Sequence, residues 1–282
     1  MIFDRVAILD WSAANRPCRG ANSIWLGLDD GQAWNPATRT EAAGLLHRLV
    51  ADALAQGQRL LIGADFAFGY PTGFAAALTG RADPLAVWAW LAAAIEDDAH
   101  NRSNRIAVAA SINARLPGIG PFWFNPGRKD FADLPRKGLD RADHGLDDHR
   151  VTERASPGAQ SVWKLGGAGA VGSQVLTGLP VLHRLRLAFP GQIAVWPFEP
   201  PTTPVILAEV FPSLLSEAVN AAMGPGAVKD AVQVRLLARA LARLSARNAL
   251  APLFACPDDP AIAEEGWILG AGQQDLLREA LA

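Results

Sequence analysis

Four acidic residues stand where an α/β protein commonly places reactive side chains. Asp10 and Asp65 each end an apolar run that is typical of a buried strand, and Glu209 lies within a third such run, 205–211. Asp230 stands near the start of a strongly periodic helical segment. Because ligands of α/β sheets bind at the carboxyl ends of the strands, we expect the four carboxylates to meet at one edge of a sheet.

Clustered carboxylates in an apolar surrounding repel one another, so a cation should neutralise them. Oxygen ligands suit Mg²⁺ or Mn²⁺, and two such ions about 4 Å apart can stabilise an in-line displacement at phosphorus. Taken singly, each acid also fits a plainer role as a turn residue or, for Asp230, as a helix cap. The set of four therefore carries the prediction that Asp10, Asp65, Glu209 and Asp230 are both catalytic residues and ligands of Mg or Mn.

Apolar runs alternate with segments of helical periodicity, and the strands and helices that they predict would position these residues. The patterns predict strands over 6–10, 23–28, 32–34, 59–65, 161–165, 193–196 and 205–211. They predict helices over about 40–56, 83–98, 105–115, 172–187 and 228–247, with a further short helix near the C-terminus. We expect one α/β domain over 1–282 with an irregular insertion at about 116–160, which is rich in Pro, Gly, Asp and Arg.

Composition excludes several classes of protein. With 282 residues, 50% of them apolar and 19% charged, the chain is neither disordered nor fibrous. The net charge of −2 disfavours a protein that coats nucleic acid without specificity. Two cysteines are too few for a disulfide framework. No signal-peptide pattern and no run of roughly 20 apolar residues is present, so we predict a cytoplasmic protein without a membrane partner.

Several charged and polar residues are candidates for binding substrate. The run 166–172 contains four glycines and precedes a predicted helix, an arrangement that can cradle an anion on backbone N–H groups or can be a flexible turn. Lys164, Arg150 and Arg154 precede this run, and Ser12 follows Asp10 closely. We predict that these four side chains bind substrate, although surface charges would show the same pattern. A basic stripe along the last long helix would either track a nucleic-acid backbone or face solvent, and consists of Arg235, Arg239, Arg243 and Arg247.

Short stretches spread over nearly the whole chain resemble an uncharacterised bacterial family of predicted ribonuclease-H-like nucleases. The stretches are Val6-Ala-Ile-Leu-Asp10, Ile62-Gly-Ala-Asp-Phe-Ala-Phe-Gly-Tyr-Pro71, Ala208-Glu-Val-Phe-Pro212, Lys229-Asp-Ala-Val232 and Glu265-Gly-Trp-Ile-Leu269. The resemblance implies a ribonuclease-H-like mixed sheet flanked by helices. It also implies a metal-dependent phosphodiester hydrolase in which Asp10 bridges two ions and the other three acids complete their shells. The expected partner is a nucleic acid or a nucleotide.

Two other functions stay open. A weaker resemblance, carried by Asp10-Trp-Ser-Ala-Ala-Asn-Arg16 and Ser23-Ile-Trp25, is to proteins labelled as molybdopterin guanine dinucleotide synthesis factors. It implies a non-catalytic accessory or binding protein in molybdopterin cofactor biosynthesis. Because actin-like and sugar-kinase folds share this order of elements and wrap phosphates with their first hairpin, Ser12 also fits a kinase-like enzyme acting on nucleotide phosphates.

Overall fold

The computed structural model describes residues 1–127 and 129–282, and a six-stranded mixed sheet forms the centre of these residues. The strands are β1 (Arg5–Asp10), β2 (Trp25–Leu28), β3 (Ala33–Trp34), β4 (Leu60–Ala64), β5 (Ile193–Trp196) and β6 (Val205–Glu209). Their order across the sheet is β3-β2-β1-β4-β6-β5. Strand β2 runs against the other five, all of which point the same way. The predicted α/β class with a mixed sheet is confirmed.

Helices cover both faces of this sheet. The α-helices of the described residues are α1 (Arg39–Ala55), α2 (Phe74–Thr79), α3 (Pro84–Ala94), α4 (Arg105–Asn113), α5 (Val151–Ala155), α6 (Gly172–Ala188), α7 (Ser216–Ala222), α8 (Lys229–Ala246), α9 (Ile262–Glu265) and α10 (Gln274–Glu279). Helices α1, α3, α4 and α6 pack on one face, and α7, α8 and α10 pack on the other. None of the helices described here is both long and apolar enough to cross a bilayer.

The pleat of the three central parallel strands decides which face each side chain reaches. Successive residues of a strand point to opposite faces. In the ladder, Leu9 lies opposite Ala64, and Ala64 lies opposite Glu209. Leu9 and Ala64 belong to the core under α1 and α6. Alternation therefore places Asp10 and Asp65, each one residue further along, on the α8 face, and Glu209 on the opposite face.

The predicted strand over 161–165 is wrong. Its residues make one isolated bridge, between Lys164 and Trp123, and otherwise form a turn. The Ser161 hydroxyl accepts a hydrogen bond from the N–H of Trp163, and the Ser161 carbonyl accepts one from Lys164. Burial of the Trp163 ring among other aromatic rings accounts for the apolar pattern without a strand.

The insertion is irregular, as its composition predicts. It contains the 3-10 turn Gly138–Asp140 and the short helix α5. It nevertheless supplies buried side chains, including Phe122 and Arg150. Helix α2, before the insertion, has no counterpart among the predicted elements.

The position of α8 against the sheet depends on a close approach at Gly27 of β2. A Cβ added to Gly27 would lie 2.6 Å from the carbonyl carbon of Val234 in α8. Because Asp230 is one turn before Val234, this contact also sets the depth of the Asp230 carboxylate. We expect Gly27→Ala to lower the free energy of unfolding by about 1–3 kcal/mol, as overpacking usually does.

Gly224→Ala is the matched control, since a Cβ there would meet no atom within 4 Å. It should change the free energy of unfolding by less than about 0.5 kcal/mol. Urea unfolding of both variants measures the difference. Equal stabilities would show that α8 does not depend on the missing side chain at Gly27.

Candidate functional site

A cavity of about 710 Å³ opens where β1, β4 and β6 end and α8 begins. All four predicted acids line it: Asp10, Asp65, Glu209 and Asp230. The structure therefore brings together four side chains that are up to 220 residues apart in the chain. Their surroundings divide them into two groups.

Asp10 and Asp65 are neighbours at the ends of adjacent parallel strands, where the N–H of Asp65 bonds to the carbonyl of Leu9 at 2.8 Å. In the described part of the chain, no side chain or N–H donates a hydrogen bond to either carboxylate, and no cation pairs with it. Burial raises the pKa of Asp10 well above its usual range, and the charges of Asp65 and Asp230 raise it further. Burial, then the charges of Glu209 and Asp230, raise the pKa of Asp65 to about 7.

Asp230 lies in the first turn of α8, lines the same cavity and is close enough for its charge to act on both residues. It does not cap its helix, because Val228 holds the N-cap position without a side-chain bond. Its Oδ2 instead accepts a hydrogen bond of 2.7 Å from the N–H of Asn22. Asn22 adopts a left-handed conformation with φ of 56° in the loop between β1 and β2. This bond ties that loop to α8 and leaves Asp230 Oδ1 without a hydrogen bond among the described residues.

Glu209 differs from the three aspartates because it has a full set of partners. Arg150 donates two hydrogen bonds to its carboxylate, at 2.8 and 2.6 Å, and the N–H of Phe68 donates a third at 3.0 Å. Only 3% of the residue is exposed. Both of its oxygens accept these hydrogen bonds and Arg150 neutralises its charge, which argues against the predicted role of Glu209 as a metal ligand. The cause is the strand alternation, which directs Glu209 to the face where the insertion packs.

Arg150 lines the cavity, but its guanidinium is neither an exposed charge nor a free phosphate binder. Besides Glu209, it donates to Glu153 at 2.9 Å and to the carbonyl of Glu265 at 2.9 Å. The side chain is 2% exposed, and the two carboxylates keep its pKa far above the range in which it would lose its proton. Arg150 thus holds the wall of the cavity together from inside the protein.

The other predicted substrate-binding residues have different positions. Ser12 lines the cavity, where its hydroxyl donates to the carbonyl of Asn22 at 3.1 Å. Lys164 and Arg154 are outside the described lining. Lys164 donates to the carbonyl of Ala168 at 2.7 Å, and Arg154 donates to the carbonyl of His149 at 2.5 Å. Both side chains therefore bond to carbonyls of their own chain segments.

The glycine-rich run forms another wall of the same cavity and leads into α6. Gly167 and Gly169 adopt left-handed backbone conformations, with φ of 83° and 69°. A Cβ at Gly166 would lie 2.6 Å from the ring of Phe124, so this position is packed as well. The run is therefore an ordered, packed turn whose backbone lies at the cavity surface.

The basic stripe on α8 is not a free row of charges. Arg243 donates two hydrogen bonds to the carbonyls of Ala280 and Leu281, which fixes the C-terminal residues to the helix. Arg235 bonds back to the carbonyl of Ala231 in its own helix. The row predicted to follow a nucleic-acid backbone is thereby interrupted.

The sequence patterns did not single out two residues, Arg105 in the cavity lining and Glu265, whose carbonyl accepts a hydrogen bond from Arg150. Arg105, the first residue of α4, lines the cavity. Glu265 is 2% exposed and accepts hydrogen bonds from Thr72 and from the N–H of Val151. Glu265 opens one of the stretches that carry the family resemblance, which is a signal that was present, whereas Arg105 has no motif around it.

The chemistry of the aspartates fits a hard divalent cation. Asp10, Asp65 and Asp230 present carboxylate oxygens that carry no neutralising partner in the described residues, and Mg²⁺ and Mn²⁺ prefer such ligands. As the side chains stand, no three His, Cys, Asp or Glu residues among those described surround a single point closely enough for a metal. Mg²⁺ does not need that, because it often binds one or two carboxylates and keeps several waters.

Comparison with models of protein families, with curated proteins and with solved structures gives no match to this chain. The resemblance to ribonuclease-H-like nucleases therefore stays a prediction. The function has to be inferred from the cavity and the residues that line it.

The raised pKa of Asp65 predicts a pH-dependent cost to the ligand-free protein. An unfolded aspartate has a pKa near 4, so the contribution of Asp65 to the free energy of unfolding falls as the pH rises from about 4 to about 7. Asp65→Asn removes this charge. In buffer with EDTA, we expect the variant to gain about 1–3 kcal/mol over the wild type between pH 4.5 and pH 8.

Urea unfolding at the two pH values measures this gain. Asp52→Asn, an exposed change on α1, is the control and should follow the wild type at both. Parallel pH profiles of wild type and Asp65→Asn would contradict the assignment of a strained carboxylate at this position.

The buried pairing of Arg150 predicts a second stability effect. Arg150→Met would leave Glu209 and Glu153 buried without their cation, and we expect a loss of about 3–5 kcal/mol in the free energy of unfolding. Arg154→Met, four residues further at an exposed position, should change it by less than about 0.5 kcal/mol. Chemical denaturation of both variants is the test, and similar small effects would show that the Arg150 pairs are dispensable.

Proposed function

We propose that this protein is a divalent-metal-dependent phosphodiester hydrolase whose metal ligands are Asp10, Asp65 and Asp230. The observation that carries the proposal is the pair Asp10 and Asp65, two unneutralised carboxylates at adjacent strand ends in a large cavity. Few structural roles require such a pair, because it costs stability in the free protein. Acting on a phosphate ester is a role that would explain the cost.

A ribonuclease-H-like fold is part of the same proposal. Strands β1, β2 and β3 form an antiparallel meander, α1 follows, and β4 returns parallel to β1 with its own acid at its end. These features support the resemblance. One difference is that β6, which carries Glu209, lies between β4 and β5 instead of following the strand order along the chain.

A bound Mg²⁺ or Mn²⁺ ion would supply a nucleophilic water at neutral pH and would neutralise charge that develops on the phosphate. The chain's own residues prepare for this. The N–H of Asn22 orients the Asp230 carboxylate, and the Asp65 carboxyl holds a proton in a large fraction of ligand-free molecules near pH 7. Arg150 neutralises the charge of Glu209, the fourth acid of the lining, which limits the repulsion within the cluster.

A nucleotide-phosphate or kinase-like enzyme is the second candidate, and the shape of the site favours it in one respect. The cavity is a pocket of about 710 Å³, which is within the range of small-molecule sites. Ser12 also lines it. Hydrolysis of ATP without cleavage of phosphodiesters would support this candidate.

An accessory role in molybdopterin cofactor biosynthesis predicts no metal-dependent turnover. The partner, a nucleic acid or a nucleotide, and the cytoplasmic location stay predictions.

Calorimetric titration with Mn²⁺ tests the proposal on wild type, Asp10→Asn and the control Asp52→Asn. We expect wild type and control to bind alike and Asp10→Asn to lose at least about 10–100-fold in affinity, the cost already seen when only an outer-shell partner is lost. Hydrolysis of bis(4-nitrophenyl) phosphate in Mn²⁺ should follow the same order. Full phosphodiesterase activity in Asp10→Asn would overturn the proposal.

A further inference from the structure

Arg105 is a buried cation in the cavity wall. It is 9% exposed and begins α4. Its Nη1 donates to the side-chain oxygen of Asn15 at 3.0 Å and to the hydroxyl of Ser103 at 2.9 Å. Its Nε is buried and has no hydrogen-bond partner among the residues that the structure describes. Two neutral acceptors therefore hold the guanidinium in place and leave other N–H groups unused.

No counter-charge pairs with Arg105 within the described residues. Their cavity lining contains five carboxylates and two guanidinium groups, and the second guanidinium, that of Arg150, is paired twice. The charge of Asp97 favours the Arg105 cation, but its carboxylate is bound by Nε and Nη2 of Arg39 at 2.5 and 2.7 Å. Burial and the charge of Arg39 lower the pKa of Arg105 to about 10. A buried charge without a partner is costly unless a ligand supplies one.

Planar guanidinium groups with free N–H donors bind phosphate well, because two parallel hydrogen bonds can form. In the cavity of a proposed phosphodiesterase, the natural ligand for Arg105 is an anionic oxygen of the substrate. The lining offers one such unpaired cation, whereas a nucleic-acid strand is usually held by several phosphate contacts. The volume of about 710 Å³ suits a nucleotide-sized molecule.

We propose that Arg105 binds a terminal phosphate of a nucleotide-sized substrate, at a subsite separate from the aspartate cluster. The reaction of this substrate rests on the proposed function, whereas the binding of its phosphate to Arg105 does not. The substrate class is then a small phosphorylated molecule that carries both a phosphodiester and a phosphomonoester. Nucleic-acid strands are the alternative that the test has to separate.

Binding of AMP and of adenosine to metal-free protein in EDTA tests the subsite. Because a hydrogen bond to a charged group contributes about 1.5–3 kcal/mol, we expect AMP to bind about tenfold or more tightly than adenosine. Arg105→Gln should reduce AMP affinity to that of adenosine. Arg102→Gln, an exposed change three residues earlier, is the matched control and should bind AMP like the wild type.

Stability separates a binding role from a structural one. If Arg105 is held ready for a ligand, Arg105→Gln should keep or raise the melting temperature without ligand and should lose the increase that AMP gives to the wild type. If Arg105→Gln fails to fold, Arg105→Lys replaces it, and we expect weaker AMP binding with a remaining preference over adenosine. AMP affinity equal to that of the wild type in either variant would overturn the inference.

The remaining outcomes are equally decisive. Equal affinities of the wild type for AMP and adenosine would contradict the phosphate subsite, whether or not the protein binds Mn²⁺. Tighter binding of a 5′-phosphorylated hexadeoxynucleotide than of AMP would overturn the small-molecule class. Arg105-dependent AMP binding without Mn²⁺ binding or turnover would support the subsite and contradict the phosphodiesterase, so the two proposals fail separately.

Discussion

The buried guanidinium of Arg150 joins separate parts of the chain at the end of the sheet where the cavity opens. It bonds Glu209 at the end of β6, Glu153 in α5 and the carbonyl of Glu265 at the end of α9. Glu209 in turn accepts the N–H of Phe68, which follows β4. Since an unpaired charge at this depth would cost several kcal/mol, these segments are stable in this position only together.

This interaction also explains how an irregular insertion becomes part of an ordered site. Most of the insertion lacks helix or strand bonds of its own, so its position has to come from tertiary contacts. Arg150 and the Glu153 carboxylate, which accepts the N–H of Arg150 at 3.1 Å, anchor its last part, and Glu265 accepts the N–H of Val151 at 2.6 Å. The cavity wall that contains Arg150 is thus built from residues far apart in sequence.

The parts of the site that were predictable are those with a local signal. Asp10 and Asp65 end buried parallel strands, which appear in a sequence as continuous apolar runs. The face that Glu209 reaches was not predictable in this way. All five residues of β6 are buried, so the strand has no periodic pattern, and its face follows only from the register with Ala64. Glu153 is only three residues from Arg150, but its other two partners, Glu209 and Glu265, are 59 and 115 residues away, beyond any local pattern.

Apart from the pairs of Arg150 with Glu153 and Glu209, the charges that line the cavity have no ion-pair partner among the described residues. Three aspartates lie together without a cation, and Arg105 is buried without a carboxylate among the described residues. Both arrangements destabilise the empty protein, and the two hydrophobic layers on either side of the sheet have to compensate for them. A single Arg105–Asp contact would relieve both costs, yet the fold provides Asn15 and Ser103 as neutral acceptors instead. A ligand that brings a cation to the aspartates and an anion to Arg105 recovers this energy, and by linkage the filled state is the more stable one.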